Sequence, residues 1–355
     1  MINDPLLDIV TRRQVLIERL KAQTGKDFRN KALKRFDRAI RSVLESLDDG
    51  LLKTAVSVRE LDAAIAKLEP AMRAVLSEWA TEFEKVNADF AGESVSFEHT
   101  TLTAVAERAT IASVSASTAW KLANEVPIQA TGQLLKSFVK HWEDSEVEAV
   151  QNLVRKGYWS GMTKSELLTA VRGTKKQGYR DGALGRFERN TDTVIRTATQ
   201  HVANTSRMAM WEANDDIVTG YRIVATLDGR TSTICRSLDG KEYKLGEGPL
   251  PPFHPGCRTT TVPVLAPQYR SNMTAGTRSS KDGYVAGSTT YYEWLKGEPY
   301  EFKVLALGPT RAKLFEKGGL SAAEFGRLNL GRNFEPMTLD EMRAVNPTAF
   351  KRAGL

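Results

Sequence analysis

The apolar positions of the chain fall first at helical spacing. Leu6, Leu7, Ile9, Val10, Val15, Leu16 and Leu20 recur every three or four residues, while Arg12, Arg13, Glu18, Arg19 and Lys21 fill the opposite face. A second stripe, Leu61, Ile65, Leu68, Met72, Val75, Leu76, Trp79, Phe83, Val86 and Phe90, keeps gaps of three and four over residues 58–90. Pro70 should start or kink a helix there. A polar break, Gly92-Glu-Ser-Val-Ser, precedes an Ala- and Thr-rich stretch over 102–123, whose small side chains suit burial between helices. Ser145-Glu-Val-Glu148 and Thr163-Lys-Ser-Glu166 both have the spacing of a capping box and predict helix starts, with a turn at Gly157–Gly161 between them. Residues 173–185 hold four glycines among Lys175, Lys176, Arg180 and Asp181 and read as a loop or hinge; residues 191–214 return to helical periodicity through Val194, Ile195, Ala198, Val202, Met208 and Trp211.

At Tyr221 the period changes. Residues 221–226 are β-branched and aromatic, 258–265 are rich in Thr and Val, and the short 241–244 lies between them, so a small three-stranded sheet is expected. The piece between is mostly turn chemistry, with Asp228-Gly229, Asp239-Gly240 and Pro251-Pro252. Residues 268–289 are polar and glycine-rich and predict an exposed connection. Helices are expected again near 291–296, 310–317, 321–330 and 339–345, with Gly318-Gly319 and Gly331 placed as C-caps. The fold class is therefore α+β, predominantly α. Its expected divisions are a helical region over 1–144, a loop-rich β-containing module over 145–267, a linker over 268–289 and a small helical module over 290–355.

Composition narrows the class without naming a chemistry. Of 355 residues, 41% are hydrophobic and 26% charged, which is ordinary for a globular chain of two or three domains. No apolar run of membrane-spanning length occurs, and Met1-Ile-Asn-Asp-Pro5 lacks the basic and apolar segments of a secretory leader, so neither membrane insertion nor export is expected. Two cysteines cannot build a disulfide framework and point to assembly in a reducing cytoplasm. The net charge of +7 suits a neighbour of nucleic acid and is too small for a protein that condenses it.

Chemistry concentrates in one stretch, from Leu227-Asp-Gly-Arg-Thr-Ser-Thr-Ile-Cys235 through Leu238-Asp-Gly-Lys241 to Pro251-Pro-Phe-His-Pro-Gly-Cys-Arg258. Three readings of Cys235, His254 and Cys257 stand open. The plainest makes the cysteines small buried hydrophobes and hydrogen-bonds His254 to a strand end. Alternatively the three bind zinc, with Asp228, Asp239, another imidazole or a water as fourth ligand. The third reading is a Cys235–Cys257 disulfide. A Cys–His nucleophile pair is disfavoured because Pro255-Gly256 should splay His254 and Cys257 apart. No Ser elbow, metalloprotease helix or phosphate loop is present, and His99, His141 and His201 are isolated on helical segments, so no catalytic residue is expected. Asp228 should cap its own turn two residues on, with Arg230 pairing a nearby carboxylate; Asp239-Gly240 repeats the turn signal, and Pro251, Pro252 and Pro255 pre-set the backbone around His254.

The same residues carry a resemblance. Val224-Ala-Thr-Leu-Asp-Gly-Arg-Thr231, Leu238-Asp-Gly-Lys241 and Pro251-Pro-Phe-His-Pro-Gly-Cys-Arg258 resemble, in that order, the signature of the phage Mu F-like minor head proteins, also called the head morphogenesis family. Upstream, Arg196-Thr-Ala-Thr199 is similar to the family's Arg-Thr-Glu helix, although Ala198-Thr199 stands where the acid usually falls, and Gly161-Met-Thr-Lys-Ser-Glu-Leu-Leu168 is similar to its small capped helix. Asp228, Arg230, Asp239, Gly240, Pro252, His254, Cys257 and Arg258 are the positions that carry the likeness. It implies a structural virion component without turnover, present in few copies, assembled in the host cytoplasm and acting in head assembly and in genome packaging or exit. Its implied place is inside the capsid near the portal vertex, against the portal protein, inner head proteins and packaged double-stranded DNA.

Residues 290–355 resemble a C-terminal module found on a subset of these proteins. Tyr291, Trp294, Arg311, Lys313 and Arg327 offer stacking and phosphate contacts to DNA, against a simpler expectation that Trp294, Leu305, Leu314 and Phe315 are the core of a small helical unit. Two other functions remain open on the sequence: a protein ejected with the genome, and a zinc-dependent hydrolase or nuclease built on Cys235, His254 and Cys257.

Overall fold

The computed structural model describes residues 4–46, 58–106, 109–269 and 276–355. Among them helices dominate, with a small three-stranded sheet in the middle and a two-stranded hairpin after it, so the chain is α+β and mainly α. Helix α1 (Asp4–Phe28) continues through a π-helical turn at Arg29–Leu33 into α2 (Lys34–Glu45). Then come α3 (Val58–Val105), α4 (Ala116–Glu125), α5 (Leu135–Trp159), α6 (Lys164–Arg172) and α7 (Ala183–Glu212). Phe28, Trp79, Trp142 and Phe187 bring α1, α3, α5 and α7 to one aromatic cluster, with ring centroids 5.0–6.3 Å apart and mostly edge-on.

The sequence expectation departs from the structure at several points in this half. The polar break at residues 92–96 does not end a helix; α3 runs through it and through Pro70. Gly92 faces α4 so closely that a Cβ there would lie 3.0 Å from Ala116 Cβ, and Ser94 returns its hydroxyl to Phe90 O, so the polar residues serve close helix packing. The small-residue stretch over 102–123 is mostly exposed beyond α3, apart from Ala106, Ala119 and Ala123, and residues 107–108 lie outside the described residues. Ser145 caps nothing: α5 is continuous from Leu135, because Phe138 and Trp142 already bury the preceding turns, and Glu146 turns inward to accept from Asn190. The box at Thr163–Glu166 is formed as expected. On α1 the buried stripe is Leu6, Val10, Ile17, Lys21 and Phe28, which leaves Val15 and Leu16 half-exposed and places Lys21, expected on the polar face, fully inside.

The sheet matches its prediction closely. Strands β1 (Val218–Val224), β2 (Glu242–Lys244) and β3 (Thr260–Leu265) form an antiparallel sheet in the order β2-β1-β3, with α8 (Thr233–Leu238) between β1 and β2. Its apolar face packs with Leu6, Leu7 and Val10 of α1 and with Trp211 of α7 in a second core. Gly220 is the one strand position at which a Cβ would drive into the neighbouring backbone, 2.3 Å from Tyr243 O.

The connection over 268–289 is more than an exposed linker. Its residues 270–275 lie outside the described residues, but β4 (Thr277–Ser280) and β5 (Gly283–Ala286) pair as a hairpin, and Arg278 points inward at 3% exposure. The tail packs as a third core. It contains α9 (Tyr291–Lys296), α10 (Tyr300–Leu307), α11 (Pro309–Lys317), α12 (Ala322–Leu328), α13 (Leu339–Val345) and α14 (Pro347–Ala353), of which α10 and α14 were not foreseen. Trp294, Leu314 and Phe315 are core, as expected, whereas Leu305 is 74% exposed. Tyr291 and Trp294 are buried and cannot stack on bases, and Arg311 and Lys313 spend hydrogen bonds on Met337 O and Gly354 O.

Candidate functional site: a cysteine–histidine cluster and its cleft

The turn-rich loops around the sheet are held by two aspartates that do different jobs. Asp228 accepts from Arg230 N–H through Oδ1, the self-capping turn read from the sequence, but its cation is Arg258, which bonds both carboxylate oxygens at 2.7 and 2.8 Å. The Arg230 side chain, expected to pair a carboxylate, has no hydrogen-bonding partner among the described residues and lines a cleft instead. Asp239 is buried and accepts from Ala225 N–H and Tyr291 N–H, each at 2.7 Å, and from both terminal nitrogens of Arg278 at 2.9 and 3.1 Å. Gly240 follows at φ +80° with Thr290 packed against it, leaving no room for a side chain. Neither aspartate is free to serve as a metal ligand.

Cys235, His254 and Cys257 do converge. Cys235 sits on α8, whose start is capped by Ser232 Oγ accepting from its backbone N–H. His254 and Cys257 flank Pro255-Gly256, and the expected splaying does not occur. Proline and glycine take the two central places of a tight turn, Gly256 at φ +73°, closed by Cys257 N–H donating to His254 O at 3.1 Å. The turn is pinned to α7 where Gly256 N–H donates to Thr197 Oγ1, and the preceding loop where Asn204 donates to Pro251 O; the Pro251–Pro252 peptide is cis. Cys235 Sγ lies 3.3 Å from His254 Nε2 and 3.6 Å from Cys257 Sγ, and all three donor atoms fall within 4.8 Å of one another. Both cysteines are buried and unbridged; His254 is partly exposed. Its Nδ1 meets Pro255 O at 2.9 Å, and because a carbonyl only accepts, Nδ1 carries the proton. His201, by contrast, is buried with Nε2 on Ala123 O, a packing role.

Burial opposes charge at all three members of the cluster. At Cys257 it is outweighed by hydrogen bonds from Cys235 and His254 and by the imidazole charge, so that thiol is held well below its ordinary value. Burial and the adjacent Cys257 push Cys235 well above its own. Cys257 also draws His254 upward against the effect of burial.

Beside the cluster opens a cleft of about 620 Å³. Glu18, Asp192, Arg196, Arg230 and Arg258 supply its charges, and Cys235 and His254 reach its wall. Arg196 bridges Glu18 at 2.8 Å and Asp192 at 2.7 Å. Beneath it Lys21 donates to Glu18 and to Gln200, both at 2.7 Å. Sequence reasoning singled out Arg196 only by resemblance and missed Glu18, Lys21 and Asp192. Nothing in the spacing of residue 18 to residue 196 announces their meeting; only the lie of α1 along α7 makes it.

Residues 148–262 match the family model described as Phage Mu protein F like protein. The central third of this chain is similar to the Mu F family. No curated protein and no solved structure matches the chain. The family is one of structural phage head proteins. The Mu F-like module begins inside α5, contains Cys235, His254, Cys257 and the Asp228–Arg258 pair, and ends within β3. Among the described residues, four of its side chains find ionic partners outside it: Arg196 on Glu18, Asp239 on Arg278, Arg207 on Glu98 at 2.7 Å, and Glu188 on Arg29 at 3.4 Å.

The Asp228–Arg258 pair gives a pH signature. Burial alone would raise the Asp228 carboxyl, but Arg258, with Arg230 N–H and Thr231, holds it below its ordinary value. A depressed folded-state value stabilises above the unfolded value and loses that contribution as pH falls through the folded one. Asp228→Asn should therefore cost about 1.5–3 kcal/mol near neutrality, a difference from wild type that narrows as pH drops below about 4. Thermal melts of both proteins between neutral and acid pH check this; a gap that stays constant or widens on acidification would contradict it.

Proposed function

We propose that this chain is a minor head protein of a tailed phage, built into the head from the inside beside the portal, and that it performs no turnover there. The observation that carries this reading is the family match over residues 148–262, whose signature residues are spent on holding loops rather than on an open catalytic set. Asp228, Asp239 and Arg258 are mutually or internally paired, and the turn at Pro255-Gly256 is fixed at both ends. Supporting it further, the net charge of +7 suits a protein bordering DNA, and among the described residues no helix is long and apolar enough to cross a membrane. The partners on this reading are the portal protein and neighbouring head proteins, with packaged DNA adjacent, and the protein is present in several copies around the portal.

Purified heads test it. Mass spectrometry should find the chain in heads, and a localised reconstruction without imposed icosahedral symmetry should show density for its helical half against the inner face of the portal. Emptied heads should retain it. Absence from purified heads, or density on the outer shell, overturns the reading, and loss together with the genome assigns the chain to ejection instead.

A further inference from the structure

We infer that Cys235, His254 and Cys257 bind one zinc ion, with the fourth coordination position opening on the cleft beside Arg230. Tetrahedral zinc with Zn–S and Zn–N bonds of ordinary length spaces its ligand atoms ~3.8 Å apart for S···S and ~3.6 Å for S···N. The cluster already holds Cys235 Sγ 3.6 Å from Cys257 Sγ and 3.3 Å from His254 Nε2, close to two edges of that tetrahedron. A disulfide needs its sulfurs at about 2.05 Å, so the spacing present is that of co-ligands. The histidine is prepared for the same task. With one proton fixed on Nδ1 by Pro255 O, Nε2 is the ring nitrogen turned to Cys235 Sγ and left to bind the metal, the outer-shell arrangement that orients metal-binding imidazoles.

Donor softness selects the metal. Two thiolates and an imidazole favour zinc over the hard cations that take oxygen ligands. Binding is charge-balanced: the ion displaces two protons from the Cys235–His254–Cys257 cluster to solvent, and Zn²⁺ with two thiolates and a neutral imidazole is neutral. A neutral complex is tolerable in a pocket where Lys21, Arg196 and Arg258 lie near by. Among the described residues no fourth Cys, His, Asp or Glu joins the cluster. Cys257 is fully buried, and the accessible side of the group is the one His254 and Cys235 present to the cleft. A water or an incoming group therefore completes the shell, as in open zinc sites. The site stands apart from the placement in the head: zinc is measured in the isolated chain, position in assembled particles, and each can fail without the other.

The test uses the full chain purified under reducing conditions. Elemental analysis should give about one zinc per chain, and dialysis of the metal-depleted protein against Co²⁺ should produce a near-ultraviolet thiolate-to-cobalt charge-transfer band with visible bands of a tetrahedral ion. Added azide should shift the visible bands, because the fourth position is open. His254→Ala should lower the zinc content to below about a tenth of an ion per chain; Cys257→Ser should abolish the charge-transfer change on its own sulfur, and the wild-type cobalt titration remains decisive if that variant does not fold. No charge-transfer band, an equimolar content of iron or copper instead of zinc, or a Cys235–Cys257 disulfide in freshly prepared protein overturns the assignment. Visible bands indifferent to saturating azide overturn the open fourth position.

Discussion

Replacing Asp239 by Asn is expected to destabilise the protein by about 3–5 kcal/mol, because it leaves a buried guanidinium without its counter-charge. Asp239 is the point at which four segments meet: Ala225 after β1, the turn before β2, Arg278 on β4 and the first turn of α9 at Tyr291. Arg278 has 3% exposure, and its terminal nitrogens also donate to Thr289 O and Ala225 O. The asparagine keeps the volume and one acceptor but turns an N–H₂ group toward a site built entirely of donors. Denaturant unfolding of the full chain should show the lower midpoint, and hydrogen exchange should quicken first in β4, β5 and the start of α9. Removing both charges together, Asp239→Asn with Arg278→Met, should recover part of the loss, since deleting a buried pair costs less than orphaning one member. A single variant with an unchanged midpoint would mean that the aspartate does not organise this junction.

This pair also marks where the sequence stopped being legible. The three-stranded sheet was readable because β-branched and aromatic residues run uninterrupted through its strands and turn residues bracket them. Asp239-Gly240 was readable as a turn for the same local reason. That Asp239 would be the anchor of the C-terminal module was not, because its partner Arg278 sits in a polar, glycine-rich stretch whose composition points to solvent. A single inward arginine leaves no periodic trace. The candidate metal ligands divide the same way. Their residue types and their shared loop-rich module stood out, whereas their convergence depended on a turn: proline followed by glycine at positive φ closes 254 onto 257, and sequence alone allowed the opposite. The misplaced cap at Ser145 has a different cause. A capping signature is only a local preference, and Phe138 and Trp142, buried on the turns before it, outweigh that preference by extending the helix upstream.

The second large effect is expected at Glu98, where α3, α7 and β3 are joined. Glu98 is 1% exposed and accepts from Arg207 Nε at 2.7 Å and Trp211 Nε1 at 3.1 Å; Arg207, at 3%, donates onward to Thr260 Oγ1 at 2.7 Å and Thr261 O at 2.8 Å. One ion pair thus fastens the sheet of the Mu F-like module to a helix that the family match does not include. Glu98→Gln keeps shape and loses charge, so the guanidinium is left buried beside a neutral amide, and a cost of about 3–5 kcal/mol follows. Glu78→Gln is the contrast. Its pair with Arg35 is as short, 2.6 Å, but lies in solvent, so water replaces what the substitution removes and the midpoint should stay where it was. Hydrogen exchange should separate the mechanisms further: in Glu98→Gln protection should fall along β3 and the middle of α7 together, because both hang from the same guanidinium. If the two glutamate variants melt alike, burial is not what gives the Glu98–Arg207 pair its strength, and apolar packing rather than this pair holds the sheet to α3.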